Sequence, residues 1–471
     1  MKKGSVEISL GIKEDNQKNK DDFVEVKLNE KIKQSRVCKI GGKEVLEVKM
    51  EKPEKMNRRK WIVFCRSLVQ VAKQNGIGKM EIDWRKLTSF RNLKQDNLGQ
   101  LFAEAVVMAN YEFRKYKKRP KEGWNDVKEI KLVISDERVK RQINKEVKKG
   151  LLVASWVNYA RELANISGGD LTPIGLVKEI RKAIKGSKIK MKVFGEKEMK
   201  KIGMNGVLAV GQGSKEQSQF IVLEYKGGTG RPVVLVGKGV TFDSGGIDTK
   251  PHPHALDMMM DMSGAASVLA TLLAVNDLQL KKNITVLIPA VENMPSGSSM
   301  RPGDVIKMYN GVNVEIGHTD AEGRLILADA LAYAKKFKPE MVIDVATLTG
   351  ASLVTLGTKA NALMTRNDEL AKQIENLAER TGDYVWRLPL WEEYEGDIAG
   401  ERGDIANINT KAKPGEGSTI TAGIFLWNFA KEYDKWVHLD IAPRMTADSK
   451  EQLTKGAAGP AVRLLVGLLE R

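Results

Sequence analysis

Apolar and polar positions fall into two regimes along the chain. Within residues 1–150, Val6–Leu10, Lys79–Trp84 and Ile130–Ile134 alternate with a period of two and predict strands. Asn97–Phe113 follows a helical period, with Leu101, Ala105 and Met108 on one face. That predicted helix runs into Arg114-Lys115-Tyr116-Lys117-Lys118-Arg119 and then Pro120, and cations in a last helical turn suit the helix dipole. Leu151–Ala164 predicts a connecting helix that stops near Ser167-Gly168-Gly169. From Ile174 onward the patterns alternate. Helices are expected at 174–184, 262–276 and 322–337, and strands at 190–194, 219–225, 232–237, 284–290 and 341–346. This order predicts an α/β protein of two domains: a small α/β domain at 1–149, a linker helix at 150–166, and a wound α/β sheet with helices on both faces at 167–471. No internal repeat or low-complexity tract interrupts it.

Charge sharpens that division. The chain of 471 residues carries a net charge of +17. Residues 1–150 hold 38 basic and 22 acidic side chains, so nearly all of the excess belongs to the first domain. Such an excess attracts nucleic acid or an anionic surface, or simply keeps a lysine-rich surface solvated. No apolar run is long enough for a transmembrane helix, so no membrane association is expected. Met1–Ser5 leads into alternating residues instead of the apolar stretch of a signal peptide. The two cysteines, Cys38 and Cys65, cannot build a disulfide framework, and a reduced, cytoplasmic protein is expected.

The chemistry lies in the second domain. Val233–Val236 reads as a buried strand ending at Gly237, and Lys238 and Asp243 follow at once among Gly239, Gly245 and Gly246. In open α/β sheets, ligands gather at the carboxyl ends of strands. A phosphate-cradling loop does not fit, because Lys238 is followed by Gly239 instead of Ser or Thr. Asp261 stands before an apolar helix, where an Asp commonly caps. Asp320 and Glu322 are two apart and would project to one side on extended backbone, although acids suit any helix start. Singly, each acid reads as structural. Together, all four fall on one rim of one sheet. Four converging carboxylates repel, and some would protonate. Two divalent cations remove that conflict, and carboxylate oxygens suit Mn²⁺, Zn²⁺, Mg²⁺ or Co²⁺. The chain has only four histidines, and His252 and His254 sit in a proline-flanked loop expected at the surface, so a histidine-rich zinc site is not expected.

Five segments resemble the leucyl aminopeptidase (cytosol aminopeptidase) family: Val236–Gly246, Asp261–Ala266, Glu292–Gly297, His318–Leu325 and Ala346–Ala351. The family's hallmark octet, Asn-Thr-Asp-Ala-Glu-Gly-Arg-Leu, stands here with His318 at its first position. Weaker likeness continues through Val385–Leu390 and His438–Ala442, and in the first domain (expected to be macro-domain-like) through Phe102–Lys117.

The resemblance implies a dinuclear metallopeptidase that removes N-terminal residues from peptides. Asp243 and Glu322 would bridge two metal ions, Lys238 and Asp261 would complete the tighter site, and Asp320 the more exchangeable one. Lys238 could ligate only as a neutral amine, a form favoured by burial and adjacent dications. Lys250 would stabilise the oxyanion and contact substrate, and Arg324 would hold a bicarbonate that serves as proton shuttle. Met258, Thr347, Leu348 and Gly350 would line the pocket for the first side chain and favour leucine and other large aliphatic residues. The family's usual assembly is a homohexamer. Three departures stand out: His318 replaces Asn, Asp248-Thr249 precedes Lys250 where apolar or small residues are usual, and Pro443 stands where Gly is common. Two other functions compete with this one. One is DNA binding through the basic first domain, alone or beside peptidase activity. The other is a silent structural subunit, against which the intact ligand positions, Lys250 and Arg324 all argue.

Overall fold

A computed structural model describes residues 6–11, 23–413 and 415–471; the opening Met1–Ser5 lies outside them. The chain divides into two compact units. The first is Met1–Asn158 with Ala447–Lys455, and the second is Tyr159–Thr446 with Gly456–Arg471. The return of 447–455 to the first unit has no signal in the linear pattern.

The first unit contains a six-stranded sheet of β1 (Glu7–Gly11), β2 (Val24–Asn29), β3 (Arg36–Ile40), β4 (Lys43–Lys49), β5 (Lys79–Asp83) and β6 (Glu129–Val133). The order is β1-β6-β5-β2-β4-β3, parallel throughout except for β3, which runs antiparallel to β4 at one edge. Met80 and Ile82 of β5 are buried between partly exposed neighbours, which is the alternation that marked this strand in the sequence. The helix expected at Asn97–Phe113 is shorter, Leu98–Asn110, and is buried on all sides. The Asn110 side chain closes it, donating to the Val127 carbonyl and accepting from the Val127 amide, both at 3.0 Å. The basic run Arg114–Arg119 therefore lies outside the helix, and the dipole account of it fails. Arg114 instead pairs with Asp126 and Glu112 and lies over the Trp124 ring. The connecting helix spans Glu137–Ala164, starting well before Leu151.

The second unit is built on a nine-stranded sheet of β7 (Lys190–Phe194), β8 (Gln219–Lys226), β9 (Val233–Gly237), β10 (Gly239–Asp243), β11 (Asn283–Asn293), β14 (Met341–Ala346), β15 (Asn361–Met364), β16 (Val385–Arg387) and β18 (Trp436–Asp440). A small sheet of β12 (Val305–Lys307), β13 (Asn313–Glu315) and β17 (Ile405–Ala406) stands apart. The main order is β16-β15-β18-β14-β9-β11-β8-β7, and β10 pairs with the far end of β11. The central strands β18, β14, β9, β11 and β10 are mutually parallel.

Helices cover both faces, as the alternating pattern predicts. Val234 and Val236 pack with Leu325–Leu331 of the helix Gly323–Ala334. Gly237 faces the other way, against the helix Ser263–Leu278, where a Cβ would lie 2.5 Å from Val268. Because the central strands are parallel, Lys238, Asp243, Asn293, Thr347 and Asp440 all emerge at one edge.

Candidate metal centre

Lys238 occupies the break between β9 and β10. Its backbone amide donates to Val345 (3.0 Å), so it stays in the sheet while the side chain turns into the edge. The ammonium is 3% exposed. It lies 2.8 Å from Asp261 and 2.9 Å from Glu322, and it donates to the Thr347 carbonyl at 2.9 Å. Burial works to lower its pKa, but the carboxylates of Asp261, Glu322 and Asp243 outweigh it, and the ammonium is held above the ordinary lysine range. Lys250 reaches the other side of the cluster, 2.9 Å from Asp243 and in contact with Asp320. The same balance of burial against carboxylates raises its pKa.

None of the acids at the two helix starts caps its helix through its side chain. The N-cap of Ser263–Leu278 is Met262, and the Asp261 carboxylate turns instead to Lys238 and to the Thr347 hydroxyl at 2.7 Å. Glu322 sits at the N-cap of Gly323–Ala334 but makes no side-chain capping bond. Asp320 lies on a turn, not on extended backbone, so its convergence with Glu322 comes from the turn and the following helical residue. Oxygens of Asp243, Asp320 and Glu322 lie within 4.8 Å of one another, a grouping able to hold a metal ion. Among the described residues, Asp261 Oδ2, Asp320 Oδ1 and Glu322 Oε1 are buried without a hydrogen-bond donor in proper geometry and face only the two ammonium groups. Four carboxylates against two ammoniums leave an excess of negative charge. Accordingly, burial and the neighbouring Asp243 and Glu322 push the Asp320 carboxyl up to about 7, and burial raises Asp261 as well. Buried, under-coordinated, mutually repelling oxygens fit divalent cations.

Glycine is required at two places beside this cluster. Gly245 and Gly246 have φ of +91° and +69°, and Cβ atoms there would press on the Asp248 carbonyl and on the Asn293 and Thr319 side chains. Asn293 orients Asp243, donating to its carboxylate at 2.9 Å and to the Thr319 carbonyl at 3.1 Å. Asn293 belongs to the segment Glu292–Gly297, but its role is not legible in the sequence, since both partners are distant along the chain.

A cavity of about 640 Å³ opens beside the acids, lined by His318, Asp320, Ala321, Arg324, Leu348 and Gly350 among others. Met258 and Thr347 are not in its lining. Met258 lies on the short turn Met258–Met260, and Thr347 bonds Asp261. Arg324 is 7% exposed and has no carboxylate within ion-pair distance among the described residues. It donates to the Asn407 carbonyl at 2.7 Å, and its Nε is buried without a partner. Burial lowers its pKa to about 10. His252 and His254 are exposed, as expected. No helix among the described residues is long and apolar enough to cross a membrane.

The profile described as "Cytosol aminopeptidase family, catalytic domain" matches residues 158–466. Similar proteins include a "Probable cytosol aminopeptidase" of Nitrosospira multiformis, 43% identical over 364 residues, covering 76% of this chain and 69% of that protein. Another, of Nitrosomonas eutropha, is 38% identical over 434 residues, covering 91% and 85%. Among solved structures, "Bottromycin maturation enzyme BotP in complex with Mn" is similar with a TM-score of 0.84 and 30% identity, over 96% of this chain and 99% of that one. The chain therefore belongs to the cytosol aminopeptidase family and is a metal-dependent aminopeptidase.

Proposed function

We propose that this aminopeptidase binds two divalent ions, Mn²⁺ or Zn²⁺ with Mg²⁺ and Co²⁺ as alternatives, through Lys238, Asp243, Asp261, Asp320 and Glu322, and releases leucine and other large aliphatic residues from peptide N-termini. The observation that carries this reading is the convergence of four carboxylates on one edge, with three buried oxygens set only against the Lys238 and Lys250 ammonium groups among the described residues. When bound, the two ions would acidify a shared water and polarise the scissile carbonyl, and a bicarbonate beside Arg324 would carry protons. Lys238 serves as a ligand once its proton is displaced. Lys250, 15% exposed at its side chain and paired with Asp243 and Asp320, would donate to the oxyanion, a reading that its closeness to the acid cluster supports. Arg324 is suited to an anion because it is buried, has no carboxylate within ion-pair distance among the described residues, and keeps an unsatisfied Nε. Leu348 and Gly350 line the adjacent cavity and favour an apolar first side chain. A homohexamer in the cytoplasm is the assembly and location that the family likeness supports.

The test is an assay of the purified full chain with Mn²⁺ or Zn²⁺ on unblocked and N-acetylated leucyl substrates. Leucine release from the unblocked substrate alone, abolished by chelation and by Asp320→Ala, is expected. Activity that survives both treatments would sink the two-metal reading.

A further inference from the structure

Two of the three departures from the family pattern, Asp248 and His318, meet on the same turn. That turn, His318-Thr319-Asp320, carries one candidate metal ligand and lies outside any helix or strand. The segment Ser244–Lys250, which carries the candidate oxyanion residue, is also irregular. Loops of this kind hold a side chain in place only if their backbone polar groups are fastened.

Thr319 is the fastening point. It is fully buried, and all its polar atoms are engaged. Its hydroxyl donates to the Gly245 carbonyl at 2.6 Å and accepts from the Asp248 amide at 2.9 Å. Its carbonyl accepts from Asn293 at 3.1 Å. Its own amide donates to the Asp248 carboxylate at 2.8 Å. The next amide, that of Asp320, donates to His318 Nδ1 at 3.1 Å. Asp248 Oδ2 and His318 Nδ1 are 3.5 Å apart. The two unusual side chains thus bond the two successive amides that set the direction of the Asp320 side chain.

We propose that Asp248 is a positioning residue whose carboxylate clasps the Asp320 turn to the Lys250 turn and so sets where Lys250 meets Asp320. The proposal rests on the assignment of Lys250 and Asp320 to the aminopeptidase centre. Removing the carboxylate leaves the buried Thr319 amide without an acceptor and frees the turn. Asparagine keeps an acceptor oxygen without the charge, so it separates the clasp from an electrostatic effect of Asp248.

The test compares full-length wild type, Asp248→Ala and Asp248→Asn. The readouts are calorimetric Mn²⁺ titration, kcat and KM on a leucyl substrate, and amide hydrogen exchange across 316–321. Asp248→Ala should bind the second ion about tenfold to a hundredfold more weakly and lose a similar factor in kcat. Its KM should stay within about threefold, and exchange at 319–320 should accelerate. Asp248→Asn should remain within about threefold of wild type on every readout. Wild-type ion binding and turnover in Asp248→Ala overturns the clasp. So does an Asn variant as impaired as Ala, or fast exchange at Thr319 in the wild type. A wild type without Mn²⁺-dependent leucine release overturns the proposed metal and substrate assignment, before any variant is compared, and the clasp with it.

Discussion

The carboxylate of Asp440 holds Thr349 by two bonds, accepting its backbone amide at 3.1 Å and its hydroxyl at 2.6 Å. The same carboxylate accepts the Leu348 amide at 3.0 Å. Asp440 is fully buried at the end of β18, and the segment it holds forms one wall of the cavity. Asp440→Ala should therefore leave the acid cluster loaded with metal but misplace that wall. We expect kcat/KM for leucyl substrates to fall by about tenfold to a hundredfold. Steady-state kinetics beside a metal-content measurement checks this, and loss of metal in step with activity would contradict it.

Arg324 should act through a bound anion. In carbonate-depleted buffer the wild type should slow and then recover when bicarbonate is added. Arg324→Ala should lose about a hundredfold or more in kcat, as expected when a proton-transfer group is removed, and should not respond to bicarbonate. An Arg324→Ala enzyme that bicarbonate still stimulates would place the anion elsewhere.

Asp329 gives a pH dependence remote from the acid cluster. It is fully buried on the helix Gly323–Ala334, and it accepts the amides of Tyr309 at 2.8 Å and Val207 at 3.1 Å. Burial pushes its carboxyl up to about 7, against the opposing amides. The unfolded chain releases this proton near 3.9, so between about pH 4 and 7 the folded state binds more protons. This group's contribution to stability is therefore fullest below pH 4 and declines as pH rises towards 7. The Tm advantage of wild type over Asp329→Asn should shrink across that interval and then level off. Calorimetry from pH 4 to 8 reads it directly, and a difference that grows with pH would refute the assignment.

Gly264 tests the helix–sheet contact beneath the site. A Cβ there would lie 2.1 Å from the Val345 carbonyl and 2.9 Å from the Lys238 amide, both backbone atoms. Neither can move without disturbing β14 or the strand break at Lys238. Gly264→Ala should cost roughly 3 kcal/mol or prevent folding, at the upper end for overpacking. A chemical-denaturation midpoint equal to that of wild type would show that the contact is slack.

Local pattern determined a good deal of this protein by itself. Strict alternation in Lys79–Asp83 and the apolar run Val233–Gly237 mark strands because a half-buried or fully buried pleat demands those sequences in any context. The acids before Ser263–Leu278 and Gly323–Ala334, and their motif spacing, mark the candidate site in the sequence. What the pattern could not decide is which group meets which. The end of the helix at Asn110 depends on Val127, and the split of the chain returns Ala447–Lys455 to the first unit. Whether Asp261 caps a helix or pairs with Lys238 depends on parallel strands that bring distant segments to one edge. The lining of the cavity, the hold of Asp440 on Thr349 and the bond of Asp248 to Thr319 likewise join segments far apart in sequence. Propensity and periodicity act within a few residues, whereas these pairings exist only once the sheet has set the register of its strands.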